Sequence, residues 1–286
     1  MLEIRNISKS FGNKKVLDDI SFSVGKGEIV SVLGKNGGGK TTLFKTILGI
    51  LEPDSGTVML DGRPLKLTET GYLPEERSLY YDCTVFKQLR HFALLKGLKA
   101  RQADREVEEW LDITDMQEYR DTIPLKLSKG NQQKIQLIVA LSGNPSVLVL
   151  DEPWTGLDID NMELFEKLIK REKKENRVIL LSSHLHQQVQ RICDRFIYIE
   201  DGKIRINVTR RELEESENRT VMVTYDRGFY LQDDDILKET YLDNRVRYII
   251  RNEPAAKRIA GFLGEYPEVR GIEIRRMTIS DLLEGR

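Results

Sequence analysis

The stretch "GKNGGGKTT", Gly34 to Thr42, sets a lysine and two threonines directly behind a run of glycines. Glycines let a backbone curl tightly, so the N–H groups from Gly37 to Thr41 can point into one small volume. That volume suits a chain of phosphates. Lys40 would add positive charge at the β- and γ-phosphates, and the Thr41 hydroxyl can ligate Mg²⁺. The spacing fits G-x-x-x-x-G-K-[ST], and it has the setting the pattern requires. A short apolar run, "EIVSVLG", precedes it, and "KTTLFKTILGI", spaced like a helix on a sheet, follows. A glycine-rich turn with an incidental lysine is the competing reading, and the strand–loop–helix context decides against it.

The stretch "VLVLDEP" supplies a second half. Asp151 ends an apolar strand, where an uncompensated carboxylate would be costly. A Mg²⁺ ion shared with Thr41 and ATP would compensate it. Glu152 follows at once, placed to orient or deprotonate an attacking water. An Asp-Glu pair at a strand end can also cap a helix, but after a phosphate loop in this order it signals hydrolysis. A third stretch, "LKLSKGNQQKIQLIVAL", turns from small polar residues into a helix pattern. Ser128, Gly130 and Asn131 form a donor-rich turn at the helix mouth, the kind of place where unpaired backbone N–H groups receive an anion.

Taken together and in this order, these motifs resemble the ATP-binding subunits of ABC (ATP-binding cassette) transporters over roughly Leu2 to Val208. The family signature Leu-Ser-Gly-Gly-Gln appears here as "LSKGN". Ser128 and Gly130 match it, and Lys129 and Asn131 depart from it. The resemblance implies further roles. Asp158 in "TGLD" matches the D-loop, and His184 in "LSSHL" stands in the switch region that meets the γ-phosphate. Phe11 occupies the place where the family stacks a ring on adenine, with Gly34, Asn36, Gly37, Gly38, Gly39, Lys40, Thr41 and Thr42 around the phosphates. Glu75, in "GYLPEERSLYYDCTV", stands where the family most often has Gln and could ligate Mg²⁺ or position water. His91 and His186 have no such support and read as packed or surface residues.

The resemblance also implies that one chain is not enough. Two ATP molecules would sit between two head-to-tail cassettes, Ser128 and Gly130 of one capping the nucleotide of the other. A homodimer is the simplest form, since one phosphate loop is present. Closure would drive separate integral-membrane permease subunits, with the exposed aromatics of "SLYYDCTVFKQL" as a docking surface. The Pro-Glu-Glu-Arg stretch and "VRGIEIRRMTISDLL" resemble exporter ATPases of the drug, sodium and antimicrobial-peptide efflux type. The alternative is a soluble ATPase of the same family acting in translation or DNA repair. Only ~50 residues separate Glu75 from Ser128, too few for a substantial antiparallel coiled coil at ~1.5 Å rise per residue, and no second phosphate loop accompanies the first.

These residues need elements to hold them. Strands alternate with helices, which implies an α/β fold with a largely parallel sheet covered on both faces. The resemblance makes it a P-loop cassette with a mixed sheet and an inserted helical subdomain at about 84–140. The cassette is expected over 1–208, and the charge run "TRRELEESENR" reads as a solvated helix and a linker at 209–218. Beyond it "TVMVTYD", "RVRYIIR", "PAAKRIAGFLGEY" and "VRGIEIRR" suggest strand, strand, helix and strand, a small α+β domain at 219–286. In the 286 residues, Lys+Arg 45 nearly cancels Asp+Glu 46, which disfavours nucleic acid as a partner. Cys83 and Cys193 lie far apart without metal-ligand spacing and fit a reducing cytosol. The start lacks the apolar core of a signal peptide, and "IQLIVAL" is far short of the ~18 residues a membrane span needs. The expected location is therefore cytoplasmic, and the resemblance implies a peripheral place on the inner face of the cell membrane through permease subunits.

Overall fold

The structure, a computed structural model, describes residues 1–226 and 231–283. The chain divides into two compact units, Met1–Asn207 and Val208–Arg286. The first begins β1 (Leu2–Phe11), β2 (Lys14–Val24), β3 (Ile29–Leu33), α1 (Lys40–Ile47), β4 (Ser55–Leu60), β5 (Arg63–Pro64) and β6 (Thr70–Leu73). Three helices follow, α2 (Val85–Leu95), α3 (Ala100–Ile113) and α4 (Lys129–Leu141). It continues with β7 (Val147–Leu150), α5 (Ile159–Lys174), β8 (Val178–Ser182), α6 (His186–Ile192), β9 (Arg195–Glu200) and β10 (Lys203–Thr209).

One sheet has the order β10-β9-β3-β8-β7-β6. Its pairs β3–β8, β3–β9, β7–β8 and β6–β7 are all parallel. The strands β3, β7 and β8 are buried at every residue. That is why their sequences read as unbroken apolar runs: helices cover both faces of a parallel sheet. Strands running the same way release their next loops at one edge. The segments after β3, β6, β7 and β8 therefore emerge side by side, where ligands of open α/β sheets are held.

A second sheet, β2-β1-β4-β5, is antiparallel and was not expected from the sequence. Its β1–β2 ladder carries register shifts between Ile4 and Ile7, Ile7 and Lys9, and Lys9 and Ser10. Each shift breaks the period-two alternation that announces a half-buried strand. Asp61-Gly62 and Asp201-Gly202 form turns in which both residues have positive φ, as tight hairpins require. The expected helical subdomain corresponds to α2, α3 and α4.

In the second unit α7 (Arg210–Glu215) is followed by β11 (Arg219–Tyr225), β12 (Ile236–Leu242) and β13 (Arg245–Ile250). Then come α8 (Glu253–Leu263), β14 (Val269–Arg276) and α9 (Ile279–Leu283). The sheet order is β12-β13-β11-β14, antiparallel throughout. Val221, Val223, Val246, Tyr248 and Ile250 pack with Ala256, Ile259 and Leu263 of α8. The charge run folds into α7, whose Thr209 and Glu212 form a reciprocal capping box. The sequence also misses β12, "ILKETYL", an edge strand without a fully buried residue. Residues 227–230 and 284–286 of the expected domain lie outside the described residues. Among the described residues, no helix is long and apolar enough to cross a membrane.

Candidate functional site

The loop after β3 leads into α1 through Gly39, which occupies the N-cap position at φ 98 with no side-chain cap. A side chain there would be strained, and its Cβ would come within 3.0 Å of the Val16 carbonyl oxygen. The bare cap leaves the first N–H groups of α1 for a ligand. Gly34 is needed for a different reason: a Cβ would lie 2.6 Å from the Ile199 carbonyl oxygen. Lys40 curls back over the loop, its Nζ donating to the Gly34 oxygen at 2.8 Å and the Lys35 oxygen at 3.3 Å.

The loops after β6, β7 and β8 close around this cradle. A cavity of about 260 Å³ is lined by Asn36, Gly37, Gly38, Gly39, Lys40, Thr41, Thr42, Glu75, Glu152 and His184. Thr41 Oγ1 donates to Asp151 Oδ2 at 2.7 Å, and Ser182 Oγ donates to Asp151 Oδ1 at 2.5 Å. The Glu152 backbone sits at φ 49, a left-handed conformation uncommon for a side-chain-bearing residue. Its N–H donates to Ser182 Oγ at 2.9 Å, which helps hold that bend.

Glu152 is buried and faces His184. The His184 backbone N–H donates to Oε2 at 3.2 Å, while His184 Nε2 lies 3.2 Å from Oε1. The second approach lacks hydrogen-bond alignment, so Oε1 accepts no hydrogen bond from the described residues. Burial pushes the Glu152 carboxyl above its ordinary value. His184 and Lys40 pull it down, and the neighbouring Asp151 pushes it up. A raised carboxyl with one unengaged oxygen is suited to accept a proton from water. The chain also offers a bare helix start, a lysine among carbonyls, and a hydroxyl beside a carboxylate. That donor set fits the phosphates of ATP and a Mg²⁺ ion: Lys40 and the loop N–H groups for the phosphates, Thr41 and Asp151 for the cation.

The structure thus brings Gly34–Thr42, Asp151, Glu152, His184 and Glu75 together at one sheet edge. Ser128, Gly130 and Asp158 form a separate cluster and do not line that cavity. Ser128 caps α4 by accepting from the Asn131 N–H at 3.2 Å, and Asp158 caps α5 by accepting from the Asn161 N–H at 2.9 Å. Asn161 links the two caps: its Nδ2 donates to Asp158 Oδ2 at 3.1 Å and lies 3.2 Å from an ideal Cβ on Gly130. Phe11 joins neither group. Its ring is half exposed at the end of β1, with Lys9 Nζ 5.8 Å from its centroid.

Two residues escaped the sequence reading. Ser182 joins Asp151 to Glu152, and its signal is a hydroxyl at the end of an apolar buried strand. Tyr72 lines a neighbouring cavity of about 420 Å³ with Thr41, Glu75 and Gln136. Its buried hydroxyl has no hydrogen-bond partner among the described residues. Burial pushes that phenol up, with Asp151 and Glu75 adding to the shift. Nothing in "TGYLPEE" distinguishes it from an ordinary strand tyrosine.

A family model described as "ABC transporter" matches residues 17–155. An ABC transporter ATP-binding protein, YhaQ of Bacillus subtilis, is 34% identical over 99% of this chain and 97% of its own length. A Nod factor export ATP-binding protein I of Burkholderia lata is 35% identical over 71% of this chain and 68% of its own. A solved ATP-binding subunit of an ABC transporter superposes with a TM-score of 0.70 at 29% identity, covering 75% of this chain and 92% of that one. These relatives are transporter subunits, which decides against the alternative role in translation or DNA repair.

Proposed function

The chain belongs to the ATP-binding subunits of ABC transporters, and from that premise we propose a working cycle for it. It is an ATPase with an ATP-powered transport role. It would act as a pair of identical chains holding two Mg-ATP between them, driving export through separate membrane subunits at the inner face of the cell membrane. The observation that carries the catalytic part is the convergence of Thr41, Asp151 and Glu152 on the cavity around Lys40.

Each residue has a task that its surroundings fit. The N–H groups at the start of α1 and the Lys40 ammonium receive phosphate oxygens. Thr41 and Asp151 hold the cation, whose chemistry is to neutralise charge on the phosphates. Glu152 orients the attacking water and takes its proton, and His184 keeps the Glu152 carboxylate turned into the cavity while meeting the γ-phosphate. Glu75, which lines the same cavity, positions water or the cation. Phe11, exposed as it is, would offer a stacking face for adenine.

The pairing of chains is supported by the two separate clusters. Ser128, Gly130 and Asp158 present capped helix starts away from their own phosphate loop, so a second copy is needed to set them against a nucleotide. Export is supported by the similarity to the Nod factor export protein. Phosphate release from Mg-ATP, compared between the natural chain and Glu152→Gln, tests the catalytic assignment. Turnover in the variant equal to that of the natural chain would remove it.

A further inference from the structure

Helix α4 carries two buried glutamines, Gln133 and Gln136, exposed by only 2% and 3%. Three positions apart, they lie on one face of the helix. Each donates to a backbone carbonyl in a loop that bears a carboxylate. Gln136 Nε2 donates to the Glu76 oxygen at 3.1 Å, one residue after Glu75. Gln133 Nε2 donates to the Pro153 oxygen at 3.4 Å, one residue after Glu152.

Gln136 is a costly way to fill a helix face. Its Oε1 is buried with no hydrogen-bond partner among the described residues, and half of the amide's capacity is thereby stranded. An apolar side chain of similar length would pack without that penalty. Glu76 itself is exposed, so water would satisfy its carbonyl if the loop were released. The bond therefore does little for stability and much for position.

A second feature fixes the same loop from behind. A Cβ on Gly71 would lie 1.9 Å from the Ala140 carbonyl oxygen, so β6 presses directly on the backbone of α4. The strand that launches the Glu75 loop and the helix that tethers it are in contact at one end and hydrogen-bonded at the other. Glu75 then enters both the phosphate-loop cavity and the larger cavity lined by Gln136, Tyr72 and Thr41.

We propose that Gln136 is a positioning residue for ATP turnover: its amide holds the loop after β6 so that Glu75 faces the phosphate-loop cavity. Gln133 holds the Glu152 loop in the same way, so α4 carries both carboxylates as one body. The helix begins at Ser128, and a nucleotide engaged by that turn would be felt at both carboxylates. This assignment rests on the ATPase reading above.

The test removes the donor and keeps the volume. Gln136→Met should lower kcat about tenfold, as a displaced positioning group does, with KM for ATP held within about twofold. In a Glu75→Ala background the same substitution should change nothing further, because the group it positions is gone. Equal losses in both backgrounds, or an unchanged kcat in the natural one, would overturn the proposal. Amide hydrogen exchange supplies an arm that needs no turnover. In the natural chain, residues 75–79 and the first turns of α4 should gain protection together when a non-hydrolysable Mg-ATP analogue binds, and independent responses would refute the tether. If the natural chain hydrolyses no ATP, the ATPase reading fails by itself, and the exchange arm still decides whether Gln136 ties the loop.

Discussion

Thr41 and Asp151, 110 positions apart, meet through a 2.7 Å hydrogen bond from hydroxyl to carboxylate. The other Asp151 oxygen accepts from Ser182, so a buried carboxylate is held by two neutral hydroxyls and, among the described residues, forms no ion pair. Such a site strongly favours a cation. Asp151→Asn keeps the shape and removes the charge. The Mg²⁺ concentration giving half-maximal turnover should rise at least about tenfold, a loss of ~1.4 kcal/mol, while ATP binding measured in chelator should be unchanged. Equal loss of binding with and without Mg²⁺ would show that Asp151 only supports the fold.

Glu152 combines a raised carboxyl with a left-handed backbone, and both bear on stability. Its folded-state value lies above the ordinary 4.5, so the folded chain binds more protons than the unfolded one between those two values. Stability is therefore lost as pH rises through that window, and the full penalty is present above it. Glu152→Gln removes the penalty. At pH 7.5 the variant should melt at a higher temperature than the natural chain. The difference should vanish well below the ordinary value, where the carboxyl is protonated in both states. Turnover of the natural chain should have an acidic limb set by the same group, absent from any residual activity of the variant. A variant less stable than the natural chain at pH 7.5 would contradict this account.

The grouping of the candidate site residues was legible because they obey spacing rules tied to short elements. Gly34 to Thr42 needed only a strand before and a helix after, and Asp151 needed only an apolar strand to end. What could not be read is what depends on packing. Ser182 matters because β8 lies beside β7, and sequence does not state strand order. The tether from Gln136 to Glu76 depends on how closely β6 approaches α4, a distance set by Gly71. The antiparallel sheet was hidden by register shifts in β1, and β12 by its place at a sheet edge. Phe11 is a position matched by resemblance alone, its ring half exposed at the end of β1 beside Lys9.

In the second unit, Asp281 is buried and accepts from Arg275 at 2.6 and 2.8 Å, from Thr220 Oγ1 at 3.0 Å and from the Thr278 N–H at 2.7 Å. Arg247 Nε lies 3.2 Å away. Burial pushes the carboxyl up, but the Arg275 and Thr278 bonds outweigh it and hold the group below its ordinary value. Its stabilisation is complete above the unfolded value and is lost as pH falls through the folded one. Asp281→Asn should destabilise this unit by about 3 kcal/mol, the usual result of stripping the charge from a buried pair. Unfolding followed at Tyr225 and Tyr248 should show the loss at pH 7. Nucleotide binding should be untouched, since every nucleotide-facing residue precedes this unit, and a chain ending at Asn218 should bind ATP as well. A truncated chain that folds but binds no ATP would refute that independence.

The separation of Ser128 from its own phosphate loop leads to the sharpest expectation. A Lys40→Ala chain keeps a sound turn at Ser128 and has a poor phosphate loop, while a Ser128→Arg chain has the reverse. Ser128 also caps α4, so its loss costs about 1 kcal/mol of helix stability, and melting curves must show both variants folded. Neither variant alone contains an intact composite site. Mixing them forms heterodimers in which the loop of the Ser128→Arg chain faces the turn of the Lys40→Ala chain. With Glu152→Gln in both, turnover is stalled and trapped ATP or dimer can be counted by size-exclusion chromatography. Recovery on mixing, to roughly half the trapped dimer of the parent because random exchange makes half the pairs mixed, is expected if Ser128 serves the partner's nucleotide. If Ser128 acts on its own chain's nucleotide, every chain in the mixture carries a defect that no partner repairs, and nothing recovers. Absence of recovery, with subunit exchange confirmed by labelled chains, would show that the turn at Ser128 does not serve the partner's nucleotide.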